Sequence, residues 1–400
     1  MIKLLRSKHC PLCLKAWLLI VVSSLLIANG SAVAYELAEG SHINGFAHHT
    51  LLWTDNNDFI VDTDDQINHA ITDVGLTLNH KFNRYWHFSG QINSHKAGET
   101  NDGDIDLDFA YIQWGLISTN KQRLNLSLGR VVMRYGLFNE IRDVTHSRSS
   151  IFVPYSIYYD RFRSLIFAQD GLGFDYKYFK GFDHIRIEGA VATPRGSEEE
   201  VSEVLPTDAL VNGKSDGQES YYLRTSYEQP LQARYMLSSV YLRYDYDGDF
   251  INPDPTTAAF FPLIPIKGGF ELGSTGFSTQ QFIGQYTVSF ELFRHEVKYD
   301  KLLAGQNLEI DLNAAYLQLD MPCGPLQCMA QYEMLEALEN DLARSSKTED
   351  VGIGAAWYLD YNLLIRAEVH KVSGTAWLRD PTAESYKNWT YAATQIAWKF

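Results

Sequence analysis

The sequence predicts an all-β protein, a sixteen-stranded antiparallel transmembrane β-barrel. Apolar and polar residues alternate with period two along the chain, which is the spacing of side chains in β-strands. Short and long connections between these alternating segments follow one another without a break. The chain also ends on an aromatic residue within an alternating segment, Trp389 to Phe400.

The composition excludes several other classes of protein. The chain has 400 residues, of which 13% are aromatic and 21% charged, and this argues against disorder. Four Cys are too few for a disulfide scaffold, and a net charge of -15 disfavours nucleic-acid binding, which needs a basic surface. After residue 28 no apolar run approaches the roughly 20 residues that a membrane-spanning helix requires.

Residues 1–34 have the features of a secretory signal peptide. An apolar core of 13 residues, Ala16 to Ala28, follows a basic segment and precedes a small-x-small cleavage site at 32–34. An N-terminal anchor helix is the alternative, but the core is short for one. We therefore predict cleavage before Tyr35 and a barrel over residues 35–400. Cleavage removes four cations and leaves 30 Lys and Arg against 49 Asp and Glu, a net charge of -19.

Three segments show the alternation clearly. Residues 122–129 place Leu on one face and polar residues on the other, and residues 363–370 alternate similarly. In residues 104–109 the acids share the polar face, and we predict that they line the lumen: Asp104, Asp106 and Asp108. A soluble β-sandwich would also alternate, but such domains rarely exceed about 250 residues. A barrel with a polar lumen accommodates the whole pattern.

The connections give the number of strands. Seven short turns are predicted at 82–84, 117–121, 181–183, 229–233, 287–289, 321–326 and 360–362. Eight longer loops are predicted near 55–69, 97–103, 134–169, 195–218, 247–275, 302–307, 339–348 and 375–387. Fifteen connections join sixteen strands, and an even number places both termini on the periplasmic side.

One strand runs against local propensity. Residues 327–338 contain strong helix formers, but a helix there would leave fifteen strands. Their alternation permits a strand, which we predict as the thirteenth. Cys323 and Cys328 flank the preceding turn, and in an exported chain this spacing predicts a local disulfide. A metal-binding cysteine pair is the alternative.

Several motifs resemble those of the Gram-negative outer-membrane porins. The residues are Gly136–Asp143 (GLFNEIRD), Ser149–Pro154, Tyr158–Arg161, Arg366–Glu368 and Gly374–Trp377. They are similar to proteobacterial porins with such a stretch after the fifth strand. The resemblance covers nearly the whole mature chain and implies a sixteen-stranded barrel, a homotrimer and a third loop folded into the lumen. It does not indicate a substrate.

The terminal residues Trp398 and Phe400 lie on one face of the last predicted strand. A terminal aromatic residue in this setting resembles the signal by which the barrel-assembly machinery recognises outer-membrane proteins. The last strand must also pair with the first, because an open sheet edge cannot lie in lipid.

Loop three, predicted over 134–169, is rich in arginine. The stretch from 130 to 163 has six Arg, no Lys and three acids, a local charge of +3. We predict that these residues form the pore constriction: Arg130, Arg134, Glu140, Arg142, Asp143, Arg148, Asp160, Arg161 and Arg163. Arginine suits carboxylates and phosphates, so such a constriction would favour anions. Alternatively, each Arg pairs with an acid and fixes the loop to the wall, and the two roles can coexist.

The predicted function is passive diffusion of small hydrophilic solutes through a water-filled channel in the cell outer membrane, reached by export through the periplasm. A closed structural or adhesive barrel and an outer-membrane enzyme are the alternatives. No G-x-S-x-G motif occurs, so the sequence predicts no catalysis, and it predicts no cofactor or metal site. Acidic residues crowd the predicted outer loops. They either remain solvated or bind divalent cations that bridge to lipopolysaccharide.

Overall fold

A computed structural model describes most of the chain after residue 34. The described residues are 35–55, 57–61, 63, 65–97, 102–158, 163–195, 210–251, 263–300, 307–337, 347–378 and 387–400. The predicted signal peptide lies outside them. Among the described residues, no helix is long and apolar enough to cross a membrane.

Sixteen long strands form the wall of the protein. They are β2 (Ser41–Thr54), β3 (Ile67–Lys81), β4 (Trp86–Lys96), β5 (Asp102–Ser118), β6 (Gln122–Val132), β7 (Ala168–Lys180), β8 (Asp183–Thr193), β9 (Leu210–Gln229), β10 (Ala233–Ile251), β11 (Leu263–Ile283), β12 (Tyr286–Asp300), β13 (Leu308–Cys323), β14 (Leu326–Ala337), β15 (Lys347–Tyr358), β16 (Leu363–Ser373) and β17 (Asn388–Lys399). A four-residue strand, β1 (Tyr35–Ala38), precedes them and pairs with the start of β2.

The sheet closes on itself. Each long strand pairs antiparallel with the next in the chain, and β17 pairs with β2, from Tyr391 opposite Thr54 to Lys399 opposite Phe46. Closure leaves no open edge along the wall. The prediction of a closed sixteen-stranded antiparallel barrel is therefore confirmed.

Alternate residues of each strand face outward and inward, as the sequence pattern predicts. In β16 the side chains of Arg366, Glu368 and His370 are buried in the interior, whereas Val369 is half exposed on the outside. In β6 the outward residue is Leu128. The polar face is the inner one, which is the arrangement of a membrane barrel rather than of a soluble sandwich.

The strand predicted against helix propensity is present as β14, the thirteenth strand of the wall. It pairs over its length with β13 and β15, so inter-strand hydrogen bonds override the local preference for a helix. Cys323 and Cys328 are joined by a disulfide across the turn between β13 and β14.

Some predicted connections were wrong. The turn predicted at 287–289 lies within β12, and the chain reverses instead at Gly284, whose φ of 64° suits a tight turn. Loops four and five, predicted at 195–218 and 247–275, are shorter because β9, β10 and β11 continue into them. Gly268 and Gly269 lie within the predicted loop five, but pairing with β10 satisfies the backbone of this stretch.

The chain terminus closes the barrel against a glycine. Phe400 and Gly45 exchange both backbone hydrogen bonds, at 2.9 and 3.2 Å. A Cβ on Gly45 would overlap the Phe400 ring, so the ring lies directly over this glycine. The predicted assembly residue Phe400 is therefore also a packing element of the closure.

We expect Gly45→Ala to reduce the yield of folded barrel, because a methyl group displaces the Phe400 ring. Overpacking of this kind costs about 1–3 kcal/mol. The fraction of heat-modifiable folded protein after refolding in detergent measures the effect. Gly273→Ala is the matched control, since a Cβ there meets only ordinary contacts at 3.9 Å. Equal yields for the two variants would contradict the expected packing role.

Candidate functional site

Loop three connects β6 to β7, and its described residues, 133–158 and 163–167, lie inside the barrel. Its described parts contain two 3-10 turns, Asn139–Ile141 and Thr145–Ser147. Two short helices follow, Tyr155–Tyr158 and Arg163–Phe167. These short elements leave many backbone N–H and C=O groups to be satisfied by the wall.

Aromatic side chains pack the loop against the far wall. The ring of Tyr158 lies 5.5 Å from that of Tyr135 and 5.9 Å from that of Phe138. Phe138 in turn contacts Tyr316 of β13 edge to face, with ring centroids 5.9 Å apart. All four residues belong to one buried apolar cluster. Loop three is therefore held by packing as well as by polar contacts.

Two other loops reach the same cluster. Phe59, from loop one, has its ring 5.1 Å from those of Tyr155 and Tyr391 and 5.3 Å from that of Trp389. Trp377, from loop eight, lies 5.8 Å from Tyr155. Loops one, three and eight thus meet in the interior and narrow the lumen. The sequence carried no signal for these contacts beyond its aromatic content.

Carboxylates on four wall strands accept hydrogen bonds from loop three. They are Glu291 of β12, Asp320 of β13, Glu333 of β14 and Glu368 of β16. Their donors include the backbone N–H groups of Leu137, Ser156 and Ile151, at 2.8–3.0 Å, and the hydroxyl of Ser149. Hydrogen bonds to charged acceptors are about twice as strong as neutral ones. This row of acids fixes the loop to the wall opposite its attachment.

Arg366 of β16 binds the loop from the same side. Its guanidinium donates to the carbonyls of Thr145, at 3.2 Å, of Arg148, at 3.0 Å, and of Ser150. It also donates to the side chain of Gln395, and only 1% of the residue is exposed. The three carbonyls surround Nη1, while Nε and Nη2 both donate to Oε1 of Gln395, a forked contact that Lys cannot reproduce.

Three arginines converge on one buried carboxylate. Glu188 of β8 lies 3.1 Å from Arg134 of loop three, 2.8 Å from Arg224 of β9 and 3.1 Å from Arg186 of its own strand. Glu188 is fully buried, whereas a quarter of the Glu140 side chain is exposed to the lumen. The cluster therefore places three guanidinium groups around one carboxylate beside the lumen.

Glu140 of loop three completes the neutralisation of this cluster. Its carboxylate lies 3.0 Å from Arg134 and 3.1 Å from Arg224. Burial alone would raise the pKa of Glu140, but Arg224 and Arg134 lower that pKa to about 2. Glu140 therefore stays ionised at neutral pH, and both arginines keep a full counter-charge.

Arg163 is paired with two acids that the sequence also singled out. Its guanidinium lies 2.9 Å from Asp143 of loop three and 3.5 Å from Asp108 of β5. Gln91 of β4 donates to both carboxylates. Arg163 also lies over the ring of Phe167, 5.2 Å from its centroid. This arginine joins the end of the loop to the wall beside its attachment.

Arg142 and Arg148 bind the backbone of the loop itself. Arg142 donates to the carbonyl of Tyr158, at 3.2 Å. Arg148 donates to the carbonyls of Ser150 and Ile151, at 3.2 and 2.8 Å, and to that of Arg142. Burial lowers the pKa of Arg148 to about 10, which still leaves it charged at neutral pH.

The remaining predicted site residues lie apart from these groups. Arg130 shares a strand face with the outward Leu128 and lies 3.3 Å from Asp170. Asp104 and Asp106 are exposed near the N-terminal end of β5. Asp160 and Arg161 lie outside the described residues.

The wall partners of the loop have no distinguishing pattern in the sequence. Glu188 and Arg186 lie on the polar face of an alternating strand, but alternation alone gives no reason to single them out. Arg366 and Glu368 lie in an alternating segment and in a motif that resembles one of the porins. The alternation showed that they face inward but not which loop atoms they meet.

No protein-family model matches the chain, and no curated protein matches its sequence. Solved structures do match it over most of its length. OmpT of Vibrio cholerae, described as expressed in the outer membrane, aligns with a TM-score of 0.58 at 13% identity over 91% of this chain and 99% of that one. The chain therefore shares its barrel architecture with solved outer-membrane porins and channels.

Two further structures are similar to the same extent. An anion-selective porin from Comamonas acidovorans aligns with a TM-score of 0.56 at 11% identity, over 90% of this chain and 99% of that one. The outer-membrane channel DcaP of Acinetobacter baumannii gives 0.57 at 11% identity, over 92% and 100%. At these identities the likeness establishes the barrel architecture.

Proposed function

We propose that the protein is an outer-membrane porin, a water-filled channel for passive diffusion of small hydrophilic solutes. The observation that carries the proposal is a closed sixteen-stranded barrel whose interior holds charged side chains around an inward-folded loop. A sixteen-stranded barrel is too wide for wall side chains alone to fill. Large apolar residues such as Val351 and Ile353 face outward, where lipid would meet them.

The proposal includes a preference for anions, supported by the convergence of Arg134, Arg186 and Arg224 beside the lumen. Because acids neutralise Arg134 and Arg163, and Arg142 and Arg148 are buried against loop carbonyls, we expect the preference to be weak. The reversal potential in a salt gradient measures it. Arg134→Ala should reduce the anion/cation ratio, because this side chain is partly exposed. Arg148→Ala should leave the ratio unchanged, because Arg148 is buried against backbone carbonyls.

Planar-bilayer recording of the purified protein tests the function itself. We expect stepwise conductance increases that scale with bulk salt, as diffusion through a wet pore requires. The aromatic contacts among loops one, three and eight favour the second candidate, a closed structural or adhesive barrel. Absence of steps from a folded, heat-modifiable preparation would exclude the channel and leave that candidate. We propose no enzymatic activity.

We further propose an outer-membrane location after export, and a homotrimer. The resemblance to porins supports both, and one similar structure, OmpT of Vibrio cholerae, is described in a trimer form. Lipid, lipopolysaccharide and the barrel-assembly machinery are the partners that such a location implies. The molar mass of the detergent-solubilised protein, corrected for bound detergent, distinguishes a trimer from a monomer.

A further inference from the structure

Behind the helix Tyr155–Tyr158, the wall carries a buried group of acids and one histidine. We name it the acid–histidine cluster: Glu333 of β14, Asp350 of β15, and Glu368 and His370 of β16. Glu333 and Asp350 are directly opposite each other in the strand register, where side chains lie about 5 Å apart. Both are essentially fully buried. Two like charges are thus placed side by side away from water.

The histidine is built into this group. Its Nδ1 lies 2.6 Å from Asp350, and its Nε2 lies 3.7 Å from Glu368. The ring stacks on Tyr391 at 4.4 Å. On its other side the ring lies over Gly352, where any Cβ would overlap it. Glycine at position 352 makes room for the imidazole, so the packing of the wall fixes the ring of His370 beside the acids.

Several polar atoms in the cluster have unused hydrogen-bonding capacity. Buried atoms without a hydrogen-bond partner include Oδ1 of Asp350, Oε1 of Glu368 and Nε2 of His370. Each such atom destabilises the buried site unless a ligand or a proton satisfies it. A proton placed on a carboxyl oxygen or on the ring turns one of these acceptors into a donor to its neighbour.

Two members of the cluster also hold loop three. Glu333 accepts hydrogen bonds from both the backbone N–H and the hydroxyl of Ser156, at 3.0 and 2.9 Å. Glu368 accepts one from the backbone N–H of Ile151, at 2.8 Å. The charge state of the cluster and the attachment of the loop therefore depend on the same side chains.

We propose that the acid–histidine cluster is a proton-dependent latch, which holds loop three while it retains a proton and loosens when that proton is lost. With a proton shared by Glu333 and Asp350, or carried by His370, the pair is tolerated in the buried site. When pH rises and the proton leaves, two adjacent carboxylates repel each other and draw in water. The contact of Glu333 with Ser156 then opens.

The direction of the pH dependence follows from proton counts. The latched state binds more protons than the released state, where water solvates each carboxylate. Raising the pH therefore favours release, and lowering it favours the latched state. Other charged or titratable groups adjoin the cluster or the helix it holds: Glu291 and His295 of β12, Tyr316 of β13, Arg366 of β16, Tyr391 of β17, and Arg148 and Tyr158 of loop three. Arg148 and Arg366 lie nearest Glu368, which leaves His370, 2.6 Å from Asp350, as the group that can carry a compensating charge for Glu333 and Asp350.

Amide hydrogen exchange of the full-length folded barrel in detergent tests the latch directly. Peptides covering 150–158 are followed at pH 6 and pH 8.5, after correction for the intrinsic exchange rate. We expect protection of this segment to fall about tenfold at the higher pH, which corresponds to roughly 1.4 kcal/mol. Protection that does not change with pH would overturn the proposal. The readout needs no ion current, so it remains informative even if the barrel does not conduct.

Substitutions identify the responsible groups. Asp350→Asn removes the like charge yet keeps an oxygen to accept from His370, so the pH dependence should fall below about twofold. Glu333→Gln should behave similarly, and it provides a second route if the first variant fails to fold. The matched control is Asp320→Asn, which alters a wall acid that also holds loop three, through Ser149. That variant should retain the tenfold change. A tenfold change that persists in Asp350→Asn and Glu333→Gln would refute the latch.

Discussion

Glu188→Gln is expected to increase the preference of the channel for anions. Glu188, Glu140 and Asp175, which lies 2.9 Å from Arg186, together balance Arg134, Arg186 and Arg224. The substitution therefore leaves one net positive charge beside the lumen. At an effective dielectric constant of about 40 and a distance of about 8 Å, one charge is worth about 1 kcal/mol to a passing ion. The charge favours an anion and disfavours a cation by this amount, so the anion/cation permeability ratio should rise about thirtyfold at low salt and less at high salt. Reversal potentials in a salt gradient provide the measurement.

The control for this prediction is Glu296→Gln, which neutralises an acid of the same type on the outer face of β12. It changes the net charge of the protein equally but should leave the reversal potential unchanged. If both variants shift selectivity alike, the effect belongs to the overall charge. If neither does, the arginine cluster does not face the permeating ions.

Arg366→Ala is expected to detach the middle of loop three while the barrel stays closed. The variant removes a buried donor from three loop carbonyls, those of Thr145, Arg148 and Ser150, of which Ser150 keeps its hydrogen bond from Arg148. A buried acceptor left unsatisfied in this way costs about 1–3 kcal/mol. Hydrogen exchange of peptides over 145–151 should accelerate more than a hundredfold, whereas exchange in the strands should change little. If the loop narrows the pore, single-channel conductance should also rise.

Arg366→Lys and Arg294→Ala serve as comparisons. The lysine variant keeps the charge but not the planar fork, so we expect protection between those of the wild type and of the alanine variant. Arg294 lies on the outer face, where it pairs with Asp311 at 2.7 Å, and its loss should leave loop three unaffected. Unchanged exchange over 145–151 in Arg366→Ala would show that packing around Tyr158 suffices to hold the loop.

Much of the fold could be predicted because the deciding information is local. In β6, for example, the positions of Leu124, Leu126 and Leu128 are enough to show which face of the strand meets apolar surroundings. Counting connections then gave sixteen strands, and it correctly overrode the helix propensity of β14. The errors occurred where local residues were ambiguous, as in the glycine-rich start of β11.

The candidate site could be predicted only in part. Arginine-rich loop three was visible as a departure from the charge of the rest of the chain, but its net charge of +3 was misleading. Counter-charges come from other strands, since Glu188 is 54 residues from Arg134 and Asp108 is 55 residues from Arg163. The residues around each arginine therefore give no indication of which distant acid it will pair with.

The sequence by itself determined that the chain forms a closed barrel, because alternation, strand length and connection length are properties of neighbouring residues. Only the tertiary structure decided what the interior charges do. Arg366 meets the carbonyl of Ser150 across 216 residues of chain, and Ser156 meets Glu333 across 177. Closing the barrel creates these pairs by bringing the loop to the opposite wall. A charge that has no partner nearby in the sequence can therefore meet an opposite charge, or a like charge, on a distant strand. Only the closed sheet brings that strand close.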